Sequence, residues 1–103
     1  MDFKFIDKRI EELYTDGKQS KEYSSDVVTN FFEVISVIAA AVDERDFYAL
    51  RSLHFEKLQG KLGKEGKRSM RLTKQWRLIV SLETTAAASK QLVIWNIDNH
   101  TYK

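Results

Sequence analysis

Apolar residues recur along the chain at two different periods, and each change of period marks an element. Phe3-Lys4-Phe5-Ile6 alternates and predicts a short first strand at a sheet edge. Asp7 then stands where an N-cap belongs. Ile10, Leu13 and Tyr14 follow at helical spacing and Gly17 supplies a stop, so a first helix is expected between them. Lys18 to Glu22 is polar and reads as a loop, and Ser24, Ser25 and Asp26 offer overlapping N-caps for a second helix. In that helix Val27, Val28, Phe31, Phe32, Ile35, Ile38, Ala39 and Val42 recur at three and four, a wide stripe that must pack on a partner surface. Asp43 to Asp46 ends the run.

Residues Phe47 to Leu62 show no period and read as an irregular connection, pinned by Leu50, Leu53, Phe55 and Leu58 and punctuated by Gly60, Gly63 and Gly66. Period two then takes over. Met70 and Leu72 face a core while Ser69 and Arg71 face away, and Thr73-Lys74-Gln75 makes a turn. Trp76, Leu78, Val80 and Leu82 repeat the inward set, with Arg77, Ile79 and Ser81 on the opposite face. Glu83 to Ser89 is small and polar and turns the chain into Gln91 to Ile97. There Leu92, Ile94 and Asn96 alternate with Val93, Trp95 and Ile97, and strict alternation carries Asp98 and His100 into the first of those sets. The expected architecture is α+β, with the amino-terminal helices packed on one face of a small antiparallel sheet and the other face partly open.

Length and composition narrow the function. The 103 residues, 43% hydrophobic and 31% charged, make one globular domain over residues 1–103. The absence of cysteine removes disulfides, thiolate metal sites and cysteine nucleophiles together. His54 and His100 are far apart in sequence and unflanked by clustered carboxylates, so neither a metal nor any other cofactor is expected. The amino-terminal stretch has acids where a secretion signal needs an apolar run. The window Val27 to Val42 is broken by Thr29, Asn30, Glu33 and Ser36, so neither export nor a membrane span is expected and the cytoplasm is the expected compartment.

The net charge of +2 conceals an asymmetry. From Lys57 to Arg77 eight bases (Lys57, Lys61, Lys64, Lys67, Arg68, Arg71, Lys74 and Arg77) stand against the single acid Glu65, a balance of +7. The rest of the chain carries nine bases and fourteen acids, or −5. Such a block suits a polyanion, and nucleic acid is the obvious one. A merely solvated face competes with that reading.

Several motifs are familiar. Leu53-His54, Lys57-Leu58-Gln59-Gly60, Ser69-Met70-Arg71-Leu72, Gln75-Trp76-Arg77-Leu78 and Ile97-Asp98-Asn99-His100 stand in an order that resembles the HigB branch of the RelE-like toxins. The resemblance covers about the last fifty residues well, and the amino-terminal half by length and helix pattern. It implies a toxin of a type II toxin–antitoxin pair, a metal-independent endoribonuclease that cuts messenger RNA in the ribosomal A site. It further implies a HigA-like helix-turn-helix antitoxin in a hetero-oligomeric complex. By resemblance His100 is the acid/base group, Arg77 and Arg71 stabilise the transition state, and Asp98 orients its neighbours. Lys57, Lys61, Lys64, Lys67, Arg68, Lys74 and Tyr102 are the expected RNA-binding residues.

Those residue types suit the chemistry. Metal-free RNA cleavage needs a base for the 2′-OH, a cation for the phosphorane and an acid for the leaving 5′-oxygen. Histidine titrates near neutrality, and arginine presents a permanently charged planar fork. The sequence also departs from the family pattern. Asn99 replaces a tyrosine, with Tyr102 the candidate substitute; the chain continues past His100; and Gln59 replaces a lysine whose charge Lys57 or Lys61 must supply. His54, set among apolar anchors, reads as structural, and Trp76 and Trp95 as core or sheet-face residues, with base stacking as the alternative for Trp95. Two other functions stay open: a non-catalytic nucleic-acid or protein binder, and a ParE-like toxin acting on a topoisomerase.

Overall fold

The computed structural model describes residues 1–18 and 20–99; His100 and Tyr102 lie outside the described residues. The strands are β1 (Phe3–Phe5), β2 (Glu56–Lys57), β3 (Lys67–Arg71), β4 (Trp76–Thr84) and β5 (Lys90–Asn99). The helices are α1 (Lys8–Asp16), α2 (Ser25–Ala40), α3 (Arg45–Ala49) and α4 (Gly60–Lys64), with 3₁₀ turns at Ser20–Glu22 and Arg51–Leu53. The sheet order is β1-β5-β4-β3-β2. All neighbours are antiparallel except β1, which pairs parallel with β5 as an edge strand.

The amino-terminal expectations hold. The Asp7 carboxylate accepts from the Arg9 amide at 2.8 Å and starts α1, and Gly17 ends it in the left-handed region at φ 69°, where a side chain would be strained. Ile10 and Leu13 of α1 and Val27, Phe31, Val34, Ile35 and Ile38 of α2 bury against Met70, Leu72, Leu78, Val80, Leu92, Ile94 and Ile97 of the sheet. One sheet face is thereby closed.

Three expectations need correction. The α2 stripe is narrower than its sequence suggested. Ala41 leaves the helix in an extended conformation, Val42 beyond it is 85% exposed, and Phe32 and Ala39 face outward while Val34 points in. Phe32 instead joins a surface cluster of rings, its centroid 6.1 Å from that of Tyr14. The stretch from Phe47 to Leu62 is not irregular. It holds most of α3, a 3₁₀ turn, β2 and the start of α4, each too short to display a period. Leu53 and Phe55 are buried there, whereas Leu50 is exposed, so it does not pin the connection. Gly63 lets α4 sit down, because a Cβ at that position would lie 1.9 Å from the Leu58 carbonyl oxygen.

The third correction bears on function. Val80 pairs with Ile94 but Ile79 pairs with Asn96, so Trp95 is an extra residue in β5, a β-bulge. Beyond it the alternation changes phase. Ile97 joins Leu92 and Ile94 in the core, while Asn96 and Asp98 move to the face of Ile79 and Arg77. Strict period two groups Asp98 with Leu92 and Ile94, the pair that proves to face the core, and the bulge takes it out of that set.

Glu44, before α3, ties the helical segment to the sheet. Its carboxylate accepts from Lys90 at 2.6 Å and from Arg68 at 3.0 Å. The Lys90 hydrogen bond is the main cause that holds its pKa below the ordinary glutamate value of 4.5, against partial burial. A carboxyl group depressed on folding stabilises the fold above its unfolded pKa, and the gain vanishes as pH falls through the folded value. Wild type is therefore expected to melt above Glu44→Gln at neutral pH, with the gap closing below about pH 4.5. Thermal melts across that range check it, and a gap that persists undiminished in acid would contradict it.

Candidate active site

The sheet face opposite the helices is built by cross-strand neighbours. Arg71 of β3 pairs with Arg77 of β4, and Arg77 pairs with Asp98 of β5, so the three form one row across three strands. Side chains on one face of such pairs start about 5 Å apart. Two arginine side chains and a carboxylate therefore leave the sheet side by side at the end bounded by the Thr73 to Gln75 turn. The adjacent row holds Ser69, Ile79 and Asn96, with Glu56 of β2 opposite Ser69. Arg77 is only 7% exposed, and its Nη1 approaches Ser69 Oγ at 3.4 Å. Its guanidinium is thus fixed in place, whereas Arg71 is half-buried and Asp98 exposed.

Sequence reasoning missed His54 as a member of this site. Its side chain is 43% exposed, and its backbone is left-handed at φ 46° and ψ 53°, closing the 3₁₀ turn with its amide on the Arg51 carbonyl at 3.1 Å. A non-glycine residue held in that region costs roughly 1 to 3 kcal/mol, and histidine is among the residues found there. The strained turn aims the imidazole at Arg71, with 3.2 Å between Arg71 Nη1 and His54 Nε2. On the other side of the ring Nδ1 faces Glu56 Oε1 at 3.9 Å. An imidazole set between a guanidinium and a carboxylate is placed to exchange protons. The signal was present in the Leu53-His54 pair itself, but nothing in sequence spacing joins position 54 to position 71.

The remaining candidates separate into groups. Lys74 lies exposed in the turn at the arginine end of the sheet. Lys57 is on the short edge strand β2, as the register partner of Arg68, and Lys61 and Lys64 are on α4, all three exposed. Lys67 is on the open face, pairing with Glu65 at 3.4 Å and standing over the Trp95 ring at 4.2 Å from its centroid. Arg68 is not brought together with the arginine row; it shares a face with its β2 partner Lys57. It points to the helix side, where it donates to Glu44 and to the Tyr48 hydroxyl at 2.9 Å. Among the described residues no group of three or more histidines, cysteines or acids is placed to hold a metal ion, and no helix is long and apolar enough to cross a membrane.

Residues 3–100 match the family model of the RelE-like toxin of the type II toxin–antitoxin system HigB. Toxin HigB-1 of Vibrio cholerae is 34% identical over 79 residues, which are 77% of this chain and 81% of that protein. The fold is similar to that of the YoeB/ParE toxin from Agrobacterium tumefaciens, with a TM-score of 0.58 and 14% identity over 98% of this chain and 100% of the other. It is also similar to YafQ from E. coli, with a TM-score of 0.56 and 14% identity over 95% of this chain and 91% of that one.

Proposed function

The chain belongs to the HigB-like branch of the RelE-like toxins of type II toxin–antitoxin systems, and from that premise we propose that it is a ribosome-dependent, metal-independent mRNA endoribonuclease that stops translation. A toxin of this kind has an antitoxin as its partner; the reading adds that this antitoxin is HigA-like. The observation that carries the proposal is the row Arg71, Arg77 and Asp98 with His54 against Arg71.

In this reading the scissile phosphate docks on the two guanidinium groups. Arg77, already fixed by burial, needs little reorganisation to meet the charge that develops on the phosphorane oxygens. Arg71 turns from His54 to the phosphate and leaves Nε2 free. The 2′-oxygen attacks phosphorus as its proton passes to a base. The bond to the 5′-oxygen breaks as an acid protonates it, and the products are a 2′,3′-cyclic phosphate and a 5′-hydroxyl. His54 and His100 are the two imidazoles for those roles, and Asp98 orients Arg77. Lys74 in the exposed turn, with Lys57, Lys61 and Lys64 exposed around the β2 edge, adds to the attraction for the polyanion. The face is shallow, so the ribosome supplies part of the alignment of the message.

Primer extension on a defined message in a purified translation reaction tests this. Discrete cuts are expected with the wild-type chain and ribosomes, none without ribosomes, and weaker cuts when His54 or His100 is exchanged for alanine. Translation arrested on an intact message would overturn the nuclease reading and make the basic face a binding surface.

A further inference from the structure

The open sheet face carries a second feature, one that the phosphate chemistry leaves unused. Trp95 is the bulge residue of β5, and its indole Nε1 donates to Ser81 Oγ of β4 at 2.8 Å. Lys67 of β3, the register partner of Ser81, holds its ammonium 4.2 Å from the ring centroid. Each of three neighbouring strands thus contributes one residue. The bulge that turns Asp98 toward Arg77 leaves the indole on the same face, away from the helix-packed core. We propose that Trp95, oriented by Ser81 and covered by Lys67, is a stacking subsite for an unpaired nucleobase of the message, an inference that rests on the RNA-binding reading of this face.

An indole fixed at its polar edge presents its flat face without losing further freedom on binding, and every nucleobase has a π-face to offer it. Lys67 covers the ring until RNA arrives. A phosphate attracts its ammonium more strongly than a ring quadrupole does, so the incoming backbone draws Lys67 aside and the base takes its place. Ser81 lies four residue steps along β4 from Arg77, about 13 Å at the rise of a strand. The stacked base therefore belongs to a nucleotide flanking the one whose phosphate the arginines hold. Purines, with the larger overlap, are favoured over pyrimidines.

Binding of two uncleavable oligomers to the full chain tests the proposal. One is an oligoadenylate built entirely of 2′-O-methyl nucleotides, the other its abasic counterpart with the same number of phosphates. For wild type the oligoadenylate is expected to quench indole emission saturably and to bind about 5- to 150-fold tighter than the abasic strand. In Trp95→Leu that difference should collapse toward unity while abasic binding stays the same, and Trp95→Phe should keep part of it. Wild type alone reads the quench, so the result does not hang on either variant folding. Absence of quenching, or an equal preference for bases in wild type and Trp95→Leu, overturns the subsite even if ribosomal cleavage proceeds. A base preference carried by Trp95 without any cutting on ribosomes would sustain the subsite and sink the nuclease reading instead.

Discussion

Exchange of Arg71 for alanine is expected to slow ribosome-dependent cleavage about 100- to 1,000-fold, the loss that follows removal of one preorganised donor to transition-state charge. Arg71 rather than Arg77 gives the cleaner test. Arg77 is almost fully buried, and its removal would mix catalysis with packing, whereas Arg71 is half-buried with its head on an exposed imidazole. Its loss should leave the melting temperature within the small range typical of surface changes. Arg71→Lys should recover little, because an ammonium keeps the charge but not the planar fork that spans two phosphate oxygens. Arg71→Ala combined with His54→Ala should cost less than the product of the two single losses, since each residue acts partly through the other. Single-turnover cleavage by wild type, the three single variants and the double variant, with melts as the control, decides the matter. Full activity in Arg71→Ala would remove the cross-strand row from the mechanism.

The sequence made α1, α2, β3 and β4 legible because their patterns are strong and local, whereas α3 and α4 are too short to show a period. Asp7 and Gly17 mark α1 by chemistry that acts within a few residues, and the inward set of β4 alternates without interruption from Trp76 to Leu82. Within the charge block Arg71 and Arg77 lie on the face away from the core, where their alternation with Met70, Leu72, Trp76 and Leu78 put them. What stayed hidden depends on partners distant in sequence. The bulge at Trp95 is set by how β5 meets β4, so period two failed beyond it and misplaced Asp98. The parallel pairing of β1 with β5 joins the two ends of the described chain and leaves no local trace. Arg68 looked like its basic neighbours, yet one step along β3 turns it to the other face, toward Glu44. His54 is the reverse case: its apolar neighbours suggested burial, and a left-handed turn lifts the ring out beside Arg71.

A common design links the two rings on the open face. Arg71 rests on the His54 imidazole and Lys67 over the Trp95 indole, so in the free chain each ring holds a cation that phosphate would attract more strongly. Binding of a polyanion would then uncover a base at one end of the face and a stacking surface at the other in the same event. The salt dependence of RNA binding should accordingly fall when either cation is neutralised.

The largest effect on stability is expected at Phe31, on the opposite side of the sheet from this chemistry. Its side chain is fully buried where α2 meets the sheet, and truncation to alanine removes a large apolar group and leaves a cavity that its neighbours only partly fill. The cost is about 3 to 5 kcal/mol, a large share of the roughly 5 to 15 kcal/mol that holds a domain together. In a domain of this size the melting temperature should fall by roughly 12 to 40 °C. The melt belongs on the free chain, because a partner that binds only the folded state offsets the loss by mass action. Phe31→Ala leaves Arg71, Arg77, Asp98 and His54 unchanged, so at temperatures well below its melt it should cut as the wild type does and fail only on warming. Arg71→Ala should behave in the opposite way, folded but slowed by the same large factor wherever the wild type is folded. If Phe31→Ala melted with the wild type, α2 would not be the buried support of the sheet described above, and the fixed geometry of the arginine row would need another origin.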